Sequence, residues 1–257
     1  MMHHRIVTRD KWLAARKAHL AREKELTRLR DQLSAERREL PWVKIEKPYV
    51  FDAPAGKETL ADLFNGRSQL IIKHFMLGPG WQEGCVGCSF HADHIDGALM
   101  HLVHHDVTLL AVSRAPLAEI GAFKNRMGWR FKWVSSHGSD FNYDFHVSFT
   151  KEEIAQGRTY YNYETRALKS EEMSGISVFF KDKTGDIFHT YSSYARGGAI
   201  LLGTYNYLDL TPKGRDETGN HNLTDWVRHH DRYDDGGFVD PTGRYVAKSS
   251  SMAGGGA

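Results

Sequence analysis

The sequence predicts an α/β protein in which a mixed β-sheet carries helices on both faces, preceded by one long N-terminal helix. Apolar strand-like runs at residues 69–76 and 107–113 are separated by helical patterning, as in a β-α-β unit with parallel strands. Two later runs, residues 176–181 and 186–191, flank an Asp-Lys-Thr-Gly turn and predict a β-hairpin. Alternating strands and helices followed by a hairpin indicate a mixed sheet rather than a purely parallel one.

The first forty residues predict a helical extension that precedes the sheet domain. Thr8 can cap a helix that runs to about Leu40, and Pro41 ends it. Leucines recur among many charged side chains and form a narrow apolar stripe. Such a helix packs on its own domain or on a partner subunit, so a homodimer through this helix is one predicted arrangement.

The sheet domain is predicted to span residues 41–235, with an insertion near residues 150–175 and a flexible tail over residues 236–257. Local patterns place its other elements: an edge strand at 44–51, a short helix at 58–64, helices at about 88–104, 116–127 and 199–208, a strand at 131–135 and a short aromatic segment at 140–147. The strand at 107–113 is a continuous apolar run, as expected of a strand buried on both faces.

Composition excludes several function classes. The chain of 257 residues is 26% charged with a formal net charge of +2, which argues against electrostatic nucleic-acid binding as its main task. Two cysteines are too few for a secreted disulfide scaffold. No run approaches the roughly 18 apolar residues of a membrane span, and no signal-peptide core is visible. We therefore expect a cytoplasmic protein without a membrane partner.

The only two cysteines, Cys85 and Cys88, form a C-x-x-C motif after an apolar strand and a Gly-Pro-Gly turn. Strand, turn, C-x-x-C and helix together are typical of a thioredoxin-like active site. A helix N-terminus lowers a cysteine pKa from about 8.5 to between ~3.5 and ~7.5. The layout therefore predicts a thiol–disulfide oxidoreductase in which Cys85 is the nucleophile and Cys88 resolves the mixed disulfide, although the carboxylate of Glu83 opposes the thiolate.

The same residues allow two other interpretations. Cys85, Cys88 and His91 follow each other at three-residue steps, and two thiolates with an imidazole suit Cu(I) or zinc. With copper, an open coordination position could bind O2, which would make the protein an oxidase or oxygenase acting on a small molecule. In the third interpretation the thiols are buried and inert, and the protein is a non-catalytic binding module.

Arg114 is a further candidate catalytic residue because it ends the strand 107–113 at the carboxyl edge of the sheet, where ligands bind in open α/β folds. It could hold a thiolate or a carboxylate substrate, and a plain ion pair is equally consistent with the sequence. The segment 226–231 could fold over the site as a lid or pack on the surface. No dinucleotide or phosphate-loop fingerprint is present, so the oxidoreductase interpretation requires no cofactor.

Longer stretches of the chain carry a resemblance to a known group. They are Trp42-Val43 and the segments 62–70, 84–97, 112–116, 127–131, 133–136 and 203–209. On these motifs the chain resembles a bacterial thioredoxin-like family of unknown function, whose members are regarded as predicted dithiol–disulfide oxidoreductases. The resemblance implies a peroxiredoxin-related thioredoxin fold with Cys85 and Cys88 at the site, and a small-molecule thiol or disulfide or a redox protein as partner.

Three positions depart from the family's pattern or from that of thioredoxins. Val86 stands where family members often have proline, and His91 stands where they commonly have tryptophan. Thioredoxins also place a cis-proline before the terminal hairpin, where this chain has Ser174-Gly175-Ile176. These departures predict a site that differs from that of a general protein-disulfide reductase.

Overall fold

The computed structural model describes residues 4–217, 226–240 and 242–248, which fall into two compact units. The first unit, up to Trp42, contains α1 (Arg9–Arg38), which confirms the long N-terminal helix. No residue of α1 is buried, and the leucines of its stripe are 38% to 57% exposed. A homodimer through α1 stays a prediction. Among the described residues, no helix is both long enough and apolar enough to cross a bilayer.

The second unit begins at Val43 and contains the sheet. Its strands are β1 (Val43–Lys44), β2 (Val50–Ala53), β3 (Gly56–Thr59), β4 (Gln69–His74), β5 (Val107–Ser113), β6 (Trp133–Ser135), β7 (Thr159–Tyr161), β8 (Glu164–Arg166), β9 (Gly175–Lys181), β10 (Ile187–Tyr194), β11 (Phe238–Val239) and β12 (Tyr245–Val246). Its helices are α2 (Leu60–Leu63), α3 (Val86–Ala92), α4 (Leu99–His104), α5 (Leu117–Arg126), α6 (Phe141–Asp144), α7 (Lys151–Ala155), a 3-10 helix (Ala195–Leu201) and α8 (Gly203–Leu208).

Eight strands of the described chain form one sheet in the order β1-β10-β9-β4-β5-β6-β2-β3. Strands β4, β5 and β6 are parallel, and β9 runs antiparallel to both β4 and β10. The inner order β10-β9-β4-β5, with a β-α-β unit followed by an antiparallel hairpin, is the thioredoxin-like pattern. The predicted fold class is therefore confirmed.

Alternation along β5 shows how the sheet divides the core into two layers. Leu110 and Val112 belong to one buried cluster, and Ala111, between them, belongs to the other, because successive side chains of a strand point to opposite faces. The first cluster packs against α2 and α6, and the second packs against α3 and α5. Helices thus cover both faces, and the face that carries α3 also carries the two cysteines.

Several elements differ from their predicted bounds for local physical reasons. The edge strand predicted at 44–51 is split into β1 and β2 around Pro48, which cannot donate a ladder hydrogen bond. The helix predicted at 88–104 is two helices, α3 and α4. Between them, Asp96 accepts hydrogen bonds from the backbone N–H groups of Arg130 and Phe131, both at 2.8 Å. The helix predicted at 199–208 is a 3-10 helix followed by α8.

The C-terminal tail is also corrected in part. We predicted a flexible segment from residue 236 onward, but β11 and β12 pair as an antiparallel hairpin, with Phe238 opposite Val246. Val239 and Tyr245 pack against a small buried cluster that includes Phe90 of α3. The hairpin is therefore anchored to the domain. The predicted flexibility of residues 249–257 lies outside the described residues.

The N-cap of α2 offers a test of local stability. Thr59 accepts from the backbone N–H of Asp62 while Asp62 accepts from that of Thr59, a reciprocal capping box. We expect Thr59→Ala to lower the free energy of unfolding by about 1 kcal/mol. Thr8→Ala is the control, because the Thr8 side chain makes no capping hydrogen bond to α1. Urea unfolding measures both, and equal losses would contradict the assigned cap.

Candidate active site

The C-x-x-C motif lies where β4 leads into α3. Cys85 is the N-cap residue of α3, its N–H donates to the carbonyl of Met76 at 3.0 Å, and its carbonyl accepts from Ser89. Gly84 permits this approach, because a β-carbon there would lie 2.5 Å from the ring of Phe75 and 2.7 Å from that of Phe123. The loop that contains Gly84 therefore places both cysteines beside the end of β4, where they pack in the same buried cluster as Phe75 and Phe123.

Both cysteines are reduced and almost fully buried, with exposures of 6% for Cys85 and 2% for Cys88. Their side chains interact closely enough for the pair to titrate as a unit. The interaction with Cys88, together with burial, raises the pKa of Cys85 well above its ordinary value. Backbone N–H groups at the start of α3 oppose this rise without cancelling it.

The pKa of Cys88 shifts in the opposite direction. Burial raises its pKa, but the hydrogen bond from Cys85 and the positive charge of Lys73 outweigh burial. The backbone N–H of Met76, 3.5 Å from the sulfur, and the side chain of Ser174 add further stabilisation of the thiolate. Together they lower the pKa of Cys88 to about 6. This order is the opposite of the predicted one, in which Cys85 carried the lowered pKa.

The cation that faces Cys88 is Lys73, which sequence analysis did not single out. It lies on β4 with only 5% of its surface exposed, and its ammonium group donates to the hydroxyl of Ser174 at 3.4 Å. Lysine is rarely so buried unless an opposite charge is near it, and the Cys88 thiolate supplies one. The signal was present in the sequence, since Lys73 interrupts an otherwise apolar strand that leads to the cysteines.

Arg114 is corrected from a candidate site residue to a structural ion pair. It is not among the residues that line the cavity around the cysteines. Its Nε donates to Glu172 at 2.6 Å, and its Nη1 donates to the hydroxyl of Tyr143 at 2.9 Å. Glu172 is 1% exposed and also accepts from Ser148. Burial raises the pKa of Glu172, and the charge of Arg114 opposes that rise. Arg114 therefore forms an ion pair with the buried carboxylate of Glu172.

The predicted metal site is also corrected. His91 lies on α3 and lines the same cavity as Cys85 and Cys88. Within the described residues, however, no three His, Cys, Asp or Glu side chains are grouped to hold one ion. Cys85 precedes the helix while His91 lies on it, so three-residue spacing does not make the side chains converge. Burial is the main cause that lowers the pKa of His91 well below its ordinary value, so its imidazole is neutral at pH 7.

The C-terminal segment covers the start of α3. The backbone N–H of Val86 donates to the carbonyl of Gly243, between β11 and β12, at 3.1 Å. A β-carbon at Gly243 would lie 3.2 Å from the sulfur of Cys85. In the segment 226–231, which was predicted as a lid or a surface element, Val227 is fully buried and His229 donates to the carbonyl of Gly84 at 2.9 Å. Both parts of the C-terminal chain therefore pack on the motif.

Glu83 does not act on the thiols as a free carboxylate. It accepts from Arg126 at 2.5 Å and from Arg232 at 3.0 Å. Arg126 also pairs with Asp231 at 2.8 Å, which ties the C-terminal segment to the loop before Cys85. Because two guanidinium groups neutralise Glu83, the predicted opposition to a thiolate is weak.

A cavity of about 600 Å³ opens beside the two sulfurs. Its polar lining includes the cations Lys73, Lys169 and Arg196. Apolar side chains form most of the rest, namely Met76, Phe90, Tyr161, Ile176, Tyr194 and Leu202. Ser174, Gly175 and Ile176, which stand where thioredoxins have the cis-proline, also line it. The site is thus an enclosed pocket with the thiol pair at its wall.

The contact between Gly243 and Cys85 can be tested directly. Gly243 has a φ of +84°, so Gly243→Ala strains the backbone and pushes a methyl group toward the sulfur. We expect a loss of about 1–2 kcal/mol in hairpin docking, which corresponds to about a five- to thirtyfold faster alkylation of Cys85 in a Cys88→Ser background. Gly128→Ala is the control, because Gly128 also has a positive φ but no atom lies within 4 Å of its β-carbon position. Equal rates in the two variants would contradict the contact.

Comparison with protein families gives one match. The model of a family described as "Bacterial protein of unknown function (DUF899)" matches residues 1–233. The chain belongs to this family. The match includes the C-x-x-C motif, Lys73 and the segment 226–231, whereas the β11–β12 hairpin lies beyond it. None of the curated proteins compared matches the DUF899 chain.

Solved structures with a similar fold include several peroxiredoxins. The peroxidoxin BcpB of Mycobacterium tuberculosis is 10% identical with a TM-score of 0.42, and the alignment covers 66% of this DUF899 protein and 97% of BcpB. A PrxQ mutant of Xylella fastidiosa is 13% identical with a TM-score of 0.41, covering 65% and 94% of the two chains. Peroxiredoxin Q of Xanthomonas campestris is 13% identical with a TM-score of 0.42, covering 64% and 95%.

Proposed function

We propose that this protein is a thiol–disulfide oxidoreductase in which Cys88 attacks the substrate and Cys85 resolves the intermediate. The observation that carries the proposal is the hydrogen-bonded thiol pair at the start of α3, with the buried ammonium of Lys73 facing Cys88. A nucleophilic thiol should have a pKa near the working pH, and a pKa of about 6 leaves Cys88 mostly ionised at pH 7. The proposal requires no cofactor.

The reaction proceeds in two exchanges. The Cys88 thiolate attacks one sulfur of a substrate disulfide, the substrate S–S bond breaks, and one substrate thiolate leaves and takes a proton from solvent. Cys85, hydrogen-bonded to Cys88, then loses its proton and attacks the Cys88 sulfur of the mixed disulfide. The second substrate thiol leaves, and the enzyme holds a Cys85–Cys88 disulfide. An external dithiol or pair of thiols reduces that disulfide, so two electrons pass from this reductant to the substrate.

Each surrounding group has a physical task in this scheme. Lys73, the Met76 N–H and Ser174 stabilise the negative charge on Cys88 before it attacks the substrate. The raised pKa of Cys85 keeps that thiol protonated until Cys88 is consumed, because its hydrogen-bond acceptor is the Cys88 sulfur.

The thiol–disulfide equilibrium tests the proposal. Reduced protein is equilibrated in glutathione buffers of increasing oxidation, free thiols are alkylated, and intact mass reports the products. We expect both cysteines to be lost together as one intramolecular disulfide and to be recovered on reduction. Thiols that stay reduced in every buffer would overturn the proposal and favour a binding module. The same experiment on Cys85→Ser should give only the glutathione adduct of Cys88.

A further inference from the structure

We propose that the substrate of this site is a low-molecular-weight disulfide that carries a carboxylate group, and not the disulfide of a folded protein. The inference rests on the proposed function and names its substrate class. Three features of the cavity support it: its enclosure, the sign of its charged groups and its apolar wall.

Enclosure limits the size of the partner. Attack on a disulfide requires the three sulfur atoms to lie nearly in line, so the substrate S–S bond must reach the thiol inside the protein. Cys88 is 2% exposed, and the turn at Gly243 covers Cys85. The cavity of about 600 Å³ falls in the range of ~300–1,000 Å³ that is typical of small-molecule sites. A small molecule fits this space, and the burial of both cysteines favours such a substrate over a disulfide held in a folded polypeptide surface.

Apart from the thiol pair, the charged side chains that line the cavity are all cations. Lys73, Lys169 and Arg196 line it, and no aspartate or glutamate does so among the described residues. Lys73 faces the Cys88 thiolate, and Arg196 lies 3.9 Å from Glu217, which is not part of the lining. Lys169 is exposed, and within the described chain it forms no ion pair. An anionic substrate group therefore finds complementary charge at Lys169 and meets no carboxylate of the lining that repels it.

Much of the cavity wall is apolar. Phe90, Ile176 and Leu202 are each less than 10% exposed and line the cavity together with Tyr161 and Tyr194. Such a wall favours a substrate with a hydrocarbon body between its disulfide and its charged end, because polar atoms placed there would lose water without gaining a partner. A short alkyl disulfide with a terminal carboxylate combines the required features.

Binding and exchange can be tested separately. Thiodipropionate and thiodiethanol are thioethers of similar size that cannot react, and they differ in carrying carboxylates or hydroxyls. Calorimetric titration of the reduced protein should show tighter binding of thiodipropionate, and Lys169→Gln should weaken it by roughly two- to fivefold, as expected for an exposed charge pair. Lys183→Gln is the matched control, since Lys183 is exposed on the β9–β10 turn and does not line the cavity. Equal affinity for the two thioethers would overturn the inference.

Single-turnover exchange then tests the substrate class. Pre-reduced protein should reduce dithiodipropionate faster than bis(hydroxyethyl) disulfide, with the difference reduced in Lys169→Gln, and should leave the disulfides of insulin intact. Reduction of insulin at a comparable rate would overturn the inference while supporting the proposed function. Selective binding of thiodipropionate without exchange of any disulfide would overturn the proposed function while the anion-binding cavity stands.

Discussion

Cys88→Ser is expected to reduce single-turnover disulfide exchange to the uncatalysed level, whereas Cys85→Ser is expected to stop the reaction at a mixed disulfide. The physical reason is that Cys88 carries the lowered pKa and Cys85 the raised one, so only Cys88 supplies a thiolate near neutral pH. Mixing each reduced variant with a small disulfide and measuring intact mass over time distinguishes the outcomes. The adduct should accumulate in Cys85→Ser and be absent from Cys88→Ser.

The reverse result would be informative. If Cys85→Ser abolished adduct formation and Cys88→Ser accumulated it, Cys85 would be the nucleophile, as the helix N-terminus alone predicts. The electrostatic effect of Lys73 on Cys88 would then be weaker than the effect of the α3 backbone N–H groups on Cys85. Far-UV circular dichroism of both variants controls for loss of fold.

Lys73→Met is expected to raise the pKa of Cys88 by about 1–3 units, because an opposite charge in close contact stabilises an ionised group by that amount. In a Cys85→Ser background, which removes the second thiol, thiolate absorbance near 240 nm reports the titration. The Cys88 thiol is protonated below its pKa and ionised above it. The signal should rise at a higher pH in Lys73→Met than in the Cys85→Ser protein that keeps Lys73. At pH 6 the variant should alkylate more slowly by about the fraction of thiolate lost.

Lys73→Arg controls for the loss of charge, since it keeps a cation on β4. If the pKa of Cys88 is unchanged in Lys73→Arg and raised in Lys73→Met, the effect comes from the charge of residue 73 rather than from its packing. An unchanged pKa in Lys73→Met would contradict the role of this lysine. Because Lys73 is 5% exposed, thermal denaturation of both variants is measured alongside.

The main elements of the fold could be predicted because their signals are local. The apolar runs that became β4 and β5 and the turn between β9 and β10 follow from periodicity and turn chemistry. The break between α3 and α4 could not be predicted in this way. It depends on hydrogen bonds that Asp96 accepts from backbone N–H groups 34 and 35 residues further along the chain. The β11–β12 hairpin was missed because strands of two residues show no periodicity.

The candidate site shows the same division. C-x-x-C after a strand identified Cys85 and Cys88, but it could not say which thiol ionises. The order of ionisation depends on which cation faces the sulfurs. Lys73 lies in β4 and Arg114 follows the neighbouring parallel strand β5, so the sequence offered both as candidates. Arg114 instead forms an ion pair with Glu172, which lies 58 residues away in sequence. No rule based on residue spacing could have predicted this pair. Lys73 could be recognised in the sequence as a charged residue within an apolar strand. For finding the site residue, that signal was a better guide than the position of Arg114 at the end of a strand.

The turn at Gly243 limits access to the thiol pair, whereas other residues set the acidity of the thiols. The groups that set the charge on Cys88 lie between Lys73 and Ser174, inside the stretch that matches the family, while the turn that covers Cys85 lies ten residues past residue 233, where that match ends. Thiol acidity and thiol access are therefore encoded in separate parts of the gene. Exchanging only the C-terminal segment between family members would change which oxidants reach the pair and leave its acidity nearly intact, so redox sensitivity can diverge without any change at the motif.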